Sequence, residues 1–197
     1  MRIFFRLAVV LTLVLTACNS FADLPDDAPH IRFPADAGVV DVTQPPYNAD
    51  PTGKQDSTAA IQQAIDDLTA HGTDAFVTRR ILYLPNGTYR LTDSLRYNND
   101  RDEHASQGGG PNIIGETRDG VVLQLDDNLP AFADVHHPTP VISTINEGKW
   151  GNVAFMLTLM NFTIDTGSGN PGASGIRYIA SNQGSLRDIT IRTADPN

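Results

Sequence analysis

The pattern of apolar and polar positions predicts one amphipathic helix early in the chain. Four apolar residues recur at intervals of three and four: Ile61, Ala64, Ile65 and Leu68. This spacing places them on one face of a helix about three to four turns long. Asp56 or Ser57 precedes the helix, where a side-chain oxygen can accept hydrogen bonds from the free amides of the first turn. A helix with a single apolar stripe can close the open end of a solenoid.

Short apolar runs, typical of strands, follow the helix. Ile81–Leu84 is separated from residues 88–91 by Pro85-Asn86-Gly87, which is a strong turn signal. Later runs are also bounded by turn residues, and no further helix is predicted after residue 112. These later runs cover residues 113–115, 121–125, 141–145 and 155–159. The pattern predicts many short strands and one helix.

The last part of the chain repeats itself. Residues 159–164 match residues 186–191 at an offset of 27 residues. One such period suits a coil of three short strands and three turns, so equivalent residues would stack at a strand spacing of roughly 4.8 Å. The predicted stacked pairs are Phe162 with Ile189, Ile164 with Ile191, and Asn161 with Asp188.

The same register draws attention to two carboxylates, Asp165 and Asp188. Asp165 would lie beside Arg192 on the outer face, and a cross-strand ion pair is the favoured interpretation. The functional alternative for Asp165 is a carboxylate in a sugar-binding groove. Asp188 would lie over Asn161 at a corner, where a polar side chain can serve turn backbone groups. Both remain candidates for catalysis, and no other catalytic residue is assigned.

Composition and charge limit the possible partners. The 197 residues, 40% of them hydrophobic, predict one globular unit. The formal net charge is −9, and the 14 Lys and Arg residues are scattered, which argues against nucleic acid as a partner. An anionic polysaccharide would be repelled unless local arginines or a bridging cation offset the field. The bulk charge therefore favours a neutral glucan, or a uronan bridged by Ca²⁺.

The N-terminus is typical of an export signal. A basic segment with Arg2 and Arg6 precedes residues 7–15, an apolar run too short to span a bilayer as a mature helix. Two cleavage sites compete. Leu15-Thr16-Ala17-Cys18 resembles a bacterial lipobox, whose cysteine is lipidated, whereas Ser20-Phe21-Ala22 suits ordinary signal peptidase.

We favour the lipobox, which defines the predicted organisation of the chain. Residues 1–17 are then the signal peptide, 18–38 a tether, and 39–197 the folded part. A lipid on Cys18 would anchor the protein to a membrane of the bacterial cell envelope, and the alternative is a secreted protein. Because Cys18 is the single cysteine, it also excludes an intrachain disulfide and a cysteine-based zinc site.

Two motifs carry a family resemblance. Residues 52–62 read Thr-Gly-Lys-Gln-Asp-Ser-Thr-Ala-Ala-Ile-Gln, similar to the Gly-Lys-Thr-Asp-Asp-Thr-Ala-Ala-Ile-Gln opening of the pectate lyase superfamily domain. Residues 84–89, Leu-Pro-Asn-Gly-Thr-Tyr, resemble that family's Leu-Pro-x-Gly-Thr-Tyr first turn, and residues 112–115 resemble its next coil. This group is also called rhamnogalacturonase/epimerase-like and has relatives in glycoside hydrolase families 28 and 55. The resemblance covers about residues 39 to 193.

The resemblance implies an all-β fold, a right-handed parallel β-helix with an N-terminal amphipathic capping helix. It also implies an exported enzyme that degrades polysaccharide, either a glycoside hydrolase with paired carboxylates or a polysaccharide lyase, often with Ca²⁺. The family-28 catalytic signatures are not present as such. The doublet Asp126-Asp127 and the nearby His136-His137 are interpreted as solvated turn residues. A non-catalytic β-helix for glycan binding or adhesion is the alternative function.

The pattern at the C-terminus adds one expectation. No predicted helix or polar segment follows the second repeat strand to cover the last coil, which would leave a sheet edge and apolar interior exposed. We therefore expect the chain to be the N-terminal portion of a longer product and incomplete at its C-terminus. The catalytic residues would then lie on later coils.

Overall fold

The fold is known from a computed structural model that describes residues 28–69, 80–97, 110–145 and 156–196. The predicted signal peptide, Cys18 and residue 155 lie outside these ranges. In the described ranges the chain forms strands, one α-helix and one 3-10 turn. The helix, α1, spans Thr58–Leu68, and the 3-10 turn spans Pro130–Phe132. The strands are β1 Val40–Asp41, β2 Thr52–Asp56, β3 Ile81–Leu84, β4 Gly87–Leu91, β5 Leu95–Arg96, β6 Asn112–Gly115, β7 Val121–Leu125, β8 Thr139–Ser143, β9 Thr158–Asp165, β10 Ala173–Arg177 and β11 Ser185–Arg192.

The strands stack into three parallel faces. The first face contains β1, β3, β6 and the start of β9, and the second contains β2, β4, β7 and the end of β9. The third face contains β5, β8 and β10. Strand β9 is long enough to pair with both β6 and β7, so it bends across the corner between the first two faces. The described strands thus confirm a partial right-handed parallel β-helix.

The predicted capping helix is confirmed, and its apolar stripe faces the solenoid. Ile61, Ala64, Ile65 and Leu68 are all buried in the same core as the strand residues. Burying each large aliphatic side chain stabilises the fold by about 1.5–3 kcal/mol. At the start of α1, Asp56 Oδ1 accepts a hydrogen bond of 2.9 Å from the amide of Thr58. Of the two predicted capping residues, Asp56 therefore serves the helix.

The predicted 27-residue repeat is also confirmed. β11 pairs in parallel with β9, and Phe162 lies opposite Ile189 as expected. Ile164 lies opposite Ile191, but Ile191 is 53% exposed because no described strand covers β11 on its other side. Asn161 and Asp188 both adopt positive φ angles, 69° and 51°, at equivalent bends of the two strands. The repeat therefore fixes both the register and the corner.

The polypeptide before β1 lies against the solenoid. The amide of Ile31 donates to the carbonyl oxygen of Glu116, and the Tyr83 hydroxyl donates to the carbonyl oxygen of Ile31. The rings of Phe33 and Tyr83 meet edge to face with centroids 5.2 Å apart. These contacts attach the last part of the predicted tether to the outside of the first face.

Candidate functional site

A groove of about 440 Å³ lies on the third face, and we name it the third-face groove. Its walls come from β5, β8, β10 and the turn that leads into β8. The lining residues are Arg96, His137, Pro138, Thr139, Pro140, Ser143, Ile145 and Arg177. None of these described lining residues carries a carboxylate, although the whole chain has a formal net charge of −9. The described part of the lining is therefore basic, on a protein whose formal net charge is negative.

The strand register aligns two arginines in this groove. Arg96 of β5 and Arg177 of β10 each lie opposite Ser143 of β8. Neighbouring strands are about 4.8 Å apart, so the two arginine Cα atoms lie roughly 10 Å apart across β8. Both arginines are exposed, whereas Ser143 is buried and donates its hydroxyl to the carbonyl oxygen of Ile145 at 2.6 Å. The result is two positive side chains separated by one short polar residue.

The capping helix holds the edge of the groove. Strand β5 has a strand partner, β8, on one side, and α1 lies on the other. There the amide side chain of Gln62 takes the place of a strand: its Oε1 accepts from the Arg96 amide at 2.8 Å. Its Nε2 donates to the Arg96 carbonyl oxygen at 2.7 Å. Both backbone groups of Arg96 are satisfied, so Gln62 fixes the backbone from which the Arg96 side chain projects.

A histidine with a carboxylate partner stands at the rim of the groove. Asp134 Oδ2 lies 2.9 Å from Nδ1 of His137, and Asp134 Oδ1 accepts a hydrogen bond from the His136 amide. The His137 contact and the backbone hydrogen bonds lower the pKa of Asp134 below its ordinary value. Because Nδ1 is engaged, Nε2 is the His137 nitrogen left to meet a ligand. The side chain of His137 is 87% exposed, so it is accessible from solvent.

The two carboxylates singled out in the sequence lie outside this groove and apart from each other. Asp165 Oδ2 accepts a hydrogen bond of 2.9 Å from Arg192 Nε, and its Oδ1 accepts one from the Gly167 amide. The expected ion pair on the second face is thus confirmed. Asp188 lies at the corner, where its Oδ2 is buried and has no hydrogen-bond partner among the described residues. A catalytic role for either residue stays a prediction.

The doublet Asp126-Asp127 makes its contacts on the second face. Asp126 forms an ion pair of 2.8 Å with Arg90, and Asp127 Oδ1 accepts a hydrogen bond from the Ser168 amide. His136 and His137 are exposed, as a turn interpretation predicts. His137 nevertheless contributes to the groove, a role that sequence reasoning missed. The signal that could have found it is the position of His137 just before β8. The sequence does not show that β8 belongs to the third face, so this signal could not be used.

A second polar cluster, which we call the corner, lies between the first and second faces and comprises Gly115, Glu116 and Asn161. Nδ2 of Asn161 donates to the carbonyl oxygens of Pro29, Gly115 and Glu116, at 2.6, 3.0 and 2.8 Å. Asn161 is fully buried, and its positive φ suits the sharp bend of β9. This side chain therefore joins two coils and the polypeptide before β1.

The side chain of Glu116 also holds the segment that precedes β1. Its Oε1 lies 2.8 Å from His30 Nε2 and accepts a 2.7 Å hydrogen bond from Arg32 Nε, while its Oε2 accepts from the Asn86 amide. Burial alone would raise the pKa of Glu116. The hydrogen bonds from Asn86, His30 and Arg32 outweigh burial and lower that pKa to about 2. Glu116 is therefore ionised and fully used by the fold.

In the described ranges, no group of three or more His, Cys, Asp or Glu side chains is arranged to hold a metal ion. No helix in the described part of the chain has the length and apolar character needed to cross a membrane.

Comparisons with known proteins identify the family. A protein of Geobacillus virus E2, ORF18, has a similar structure, with a TM-score of 0.56 and 18% sequence identity. The match covers 77% of this chain but 25% of the viral one, so the chain spans about a quarter of that protein. At this identity the similarity concerns the fold alone. Curated proteins give no significant match. Residues 40–197 match the family described as rhamnogalacturonase A/epimerase, pectate lyase-like, and the chain belongs to that family.

Proposed function

We propose that this protein is exported and acts on polysaccharide, and that the glycan lies in the third-face groove. The observation that carries the proposal is the groove itself, which crosses three stacked strands of a pectate lyase-like domain. A groove across successive coils suits a linear polymer better than a small ligand, because each coil can contact a different sugar. Arg96, Thr139 and Arg177 in its lining offer hydrogen-bond donors to sugar oxygens.

Degradation of the bound polysaccharide is the first candidate activity. His137 supports it, because a histidine whose Nδ1 is held by Asp134 can present Nε2 as a general acid or base. Proton removal beside a sugar carboxyl group, as in β-elimination, needs such a base. In this proposal Nε2 of His137 takes the proton from the ring carbon that bears the carboxyl group, and the electron pair left behind forms a double bond to the neighbouring ring carbon. The glycosidic C–O bond on that neighbouring carbon breaks, and the leaving oxygen takes a proton from water. The arginines face the anionic substrate.

Glycan binding without cleavage is the second candidate, and a specific observation favours it. Glycoside hydrolysis uses two carboxyl groups that flank the scissile bond about 5–9.5 Å apart. Within the described lining of the groove there is no such pair, and Asp165 is committed to Arg192 on another face. A hydrolase would require carboxylates from outside the residues described here.

Export is a separate part of the proposal and rests on residues 1–22. We propose that the signal is cleaved before Cys18 and that lipid on Cys18 anchors the protein in the cell envelope. Mass spectrometry of the mature N-terminus tests this directly. We expect Cys18 to carry a diacylglyceryl group. The Cys18→Ser variant should no longer partition into the detergent phase. A mature protein that begins after Ala22 would contradict the anchor and leave a secreted protein.

The glycan site can be tested by filling the groove. Thr139 lines the groove on β8, whereas Gln124 is exposed on β7 of the second face. We expect Thr139→Trp to abolish polysaccharide binding and Gln124→Trp to leave it unchanged, as measured by affinity electrophoresis on neutral and acidic polysaccharides. Thermal unfolding would show whether both variants are folded.

A second measurement needs no variant. Addition of a bound oligosaccharide should shift the NMR amide signals of β8 and leave those of β7 in place. Assays of the protein for reducing ends and unsaturated uronates separate the two candidate activities. Binding without either product would support the adhesive role. In the NMR titration, amide shifts confined to β7 would contradict the proposed site.

A further inference from the structure

Strand β11 has an unpaired edge. It pairs with β9 on one side, and in the described part of the chain no strand lies on its other side. Strand β10 is in the same situation on the third face, where β8 is its strand partner within the described ranges. One end of the described solenoid therefore presents two strand edges that can accept another strand.

Exposed apolar side chains are concentrated at the same end. Among the described residues, the large hydrophobic side chains that remain exposed are those of Val135, Leu186 and Ile191. Leu186 and Ile191 belong to β11, and Val135 lines a pocket together with Ile191 and two residues of β10. Exposed apolar side chains that cluster on a folded domain mark a contact surface.

Two neighbouring charges of β11 also lack a partner. Arg187 is exposed and Asp188 is partly buried, and neither side chain has a hydrogen bond or ion pair with any described residue. Asp188 lies at the bend of β11 between the first and second faces, where its φ angle is 51°. The unpaired edge thus carries two adjacent, opposite charges at its bend.

We propose that this end of the solenoid binds a second copy of the chain, with the two β11 strands side by side and antiparallel. Because each β11 turns the corner between two faces, two copies stack only where their bends coincide. The two-fold axis therefore passes close to Asp188 and exchanges the first face of one copy with the second face of the other. The same axis returns the third face to itself, so the two β10 strands also meet.

Charge selects one register among those that align the bends. An axis through Asp188 would set two carboxylates opposite each other, which is unfavourable. An axis between Arg187 and Asp188 sets the arginine of each copy opposite the aspartate of the other and forms two ion pairs. In that register Leu186 lies opposite Ile189, and both residues lie over buried residues of β9 in their own chain. The apolar interior then continues across the interface.

A second copy is favoured over other occupants because the edge is complementary to itself. All the residues that the contact needs are present in β11, and a two-fold contact uses each of them twice. A further coil of the same product, stacked in parallel, is the competing occupant. It would bring its own residues over Arg187 and Asp188 and would leave the chain a monomer.

The test combines two charge-changing variants. Arg187→Asp and Asp188→Lys each place like charges opposite each other in a homodimer, whereas a mixture of the two variants restores both ion pairs. Lys54→Asp is the matched control, because Lys54 is exposed on β2, at the opposite end of the second face. The proteins are made without residues 1–22, so that neither a signal peptide nor a lipid contributes to association. Sedimentation equilibrium gives the dissociation constants, and thermal unfolding shows whether each variant is folded.

We expect the wild type and Lys54→Asp to form dimers of equal affinity. Each β11 variant should raise the dissociation constant by about tenfold or more, because like charges directly opposite each other destabilise a strand pair. An equimolar mixture of Arg187→Asp and Asp188→Lys should regain the wild-type affinity as a heterodimer. Recovery on mixing would also show that the variants had lost the contact and not the fold.

Three results would overturn the proposed dimer. The first is a wild-type monomer at all concentrations up to about 1 mM. The second is association that the β11 variants leave unchanged or that grows beyond two copies, because a two-fold contact closes at the dimer. The third is a monomer whose β11 amides are protected from hydrogen exchange on the outer edge, which would assign that edge to another segment of the same chain.

Discussion

The corner and the third-face groove are both rich in polar side chains, but the two regions use them differently. At the corner, Asn161 and Glu116 are buried and bond to backbone or side-chain groups of three separate segments. In the groove, Arg96 and Arg177 are exposed and have no side-chain partner among the described residues. Polar groups of the corner hold the coils together, whereas the guanidinium groups of Arg96 and Arg177 have no partner among the described residues, as the proposed glycan site requires.

This difference predicts that the corner residues determine stability and the groove residues determine glycan binding. A buried donor or acceptor that loses its partner costs its full desolvation free energy, while an exposed charge is simply solvated. Substitutions at the corner should therefore unfold the protein without a specific effect on glycan binding. Substitutions in the groove should do the reverse. If the effects predicted below, ordered from the largest to the smallest, are not observed, this distinction between the corner and the groove is wrong.

The largest loss of stability is expected for Asn161→Ala. It leaves the carbonyl oxygens of Pro29, Gly115 and Glu116 without their donor. Nδ2 shares two N–H groups among these three acceptors, so at about 1–1.5 kcal/mol for each N–H the free energy of unfolding should fall by about 2–3 kcal/mol in urea titrations. Asn48→Ala is the control, because Asn48 also has a positive φ, 53°, but is exposed. A similar loss in both variants would attribute the effect to backbone conformation rather than to the hydrogen bonds.

Acid should weaken the corner through Glu116. The folded-state pKa of Glu116, about 2, lies below its ordinary value of 4.5, so its contribution is complete above pH 4.5. That contribution is lost as the pH falls from about 4.5 to 2, and we expect about 2 kcal/mol once solvent screening of the exposed His30 and Arg32 is allowed for.

Glu116→Gln isolates this effect from other carboxylates. Unfolding free energies of the wild type and the variant, measured at intervals from pH 6 to pH 2, should differ most at pH 6 and converge in acid. A constant difference across that range would contradict the role given to the ionised Glu116.

Gln62 connects the capping helix with the groove and should show an intermediate effect. Gln62→Ala removes both hydrogen bonds to the Arg96 backbone. We expect a loss of about 1–2 kcal/mol in unfolding free energy and faster hydrogen exchange of the Arg96 amide. Gln63→Ala, on the exposed side of the same helix, is the matched control. Unchanged exchange at Arg96 would show that Gln62 does not hold this strand.

The smallest effect is expected for Asp165→Asn on the second face. Arg192 is 58% exposed, and an ion pair accessible to solvent contributes less than about 1 kcal/mol. Oligosaccharide binding should be unchanged, because Asp165 does not line the groove. Asp119→Asn, which removes another exposed pair, is the control for stability. A specific loss of glycan affinity or turnover in Asp165→Asn would restore Asp165 as a functional residue.

Much of the fold could be predicted from local patterns. The 27-residue match between β9 and β11 placed Asp165 beside Arg192, and the structure pairs them in that register. The stripe of Ile61, Ala64 and Ile65 likewise predicted the side of α1 that is buried. These features were readable because side-chain periodicity and strand alignment are determined by residues close in sequence or exactly repeated.

The groove could not be predicted in the same way. Arg96, Ser143 and Arg177 follow one another at unequal spacings, because the turns between coils differ in length. Strand β5 has two residues, and β10 reads Ala-Ser-Gly-Ile-Arg, which lacks an apolar run. Parallel pairing between coils, rather than local propensity, makes these segments strands. Which charged residues would face each other was therefore hidden until the register was known.

The central proposal is that Arg96 and Arg177, which have no side-chain partner in the described part of the chain, bind a glycan, whereas Arg90 and Arg192 of the second face are held by the protein. NMR of the arginine Nε–Hε groups during addition of oligogalacturonate tests this in a single titration. We expect the signals of Arg96 and Arg177 to shift, and those of Arg90 and Arg192, which are bound to Asp126 and Asp165, to stay in place. Shifts at Arg90 and Arg192 with none at Arg96 and Arg177 would contradict the account.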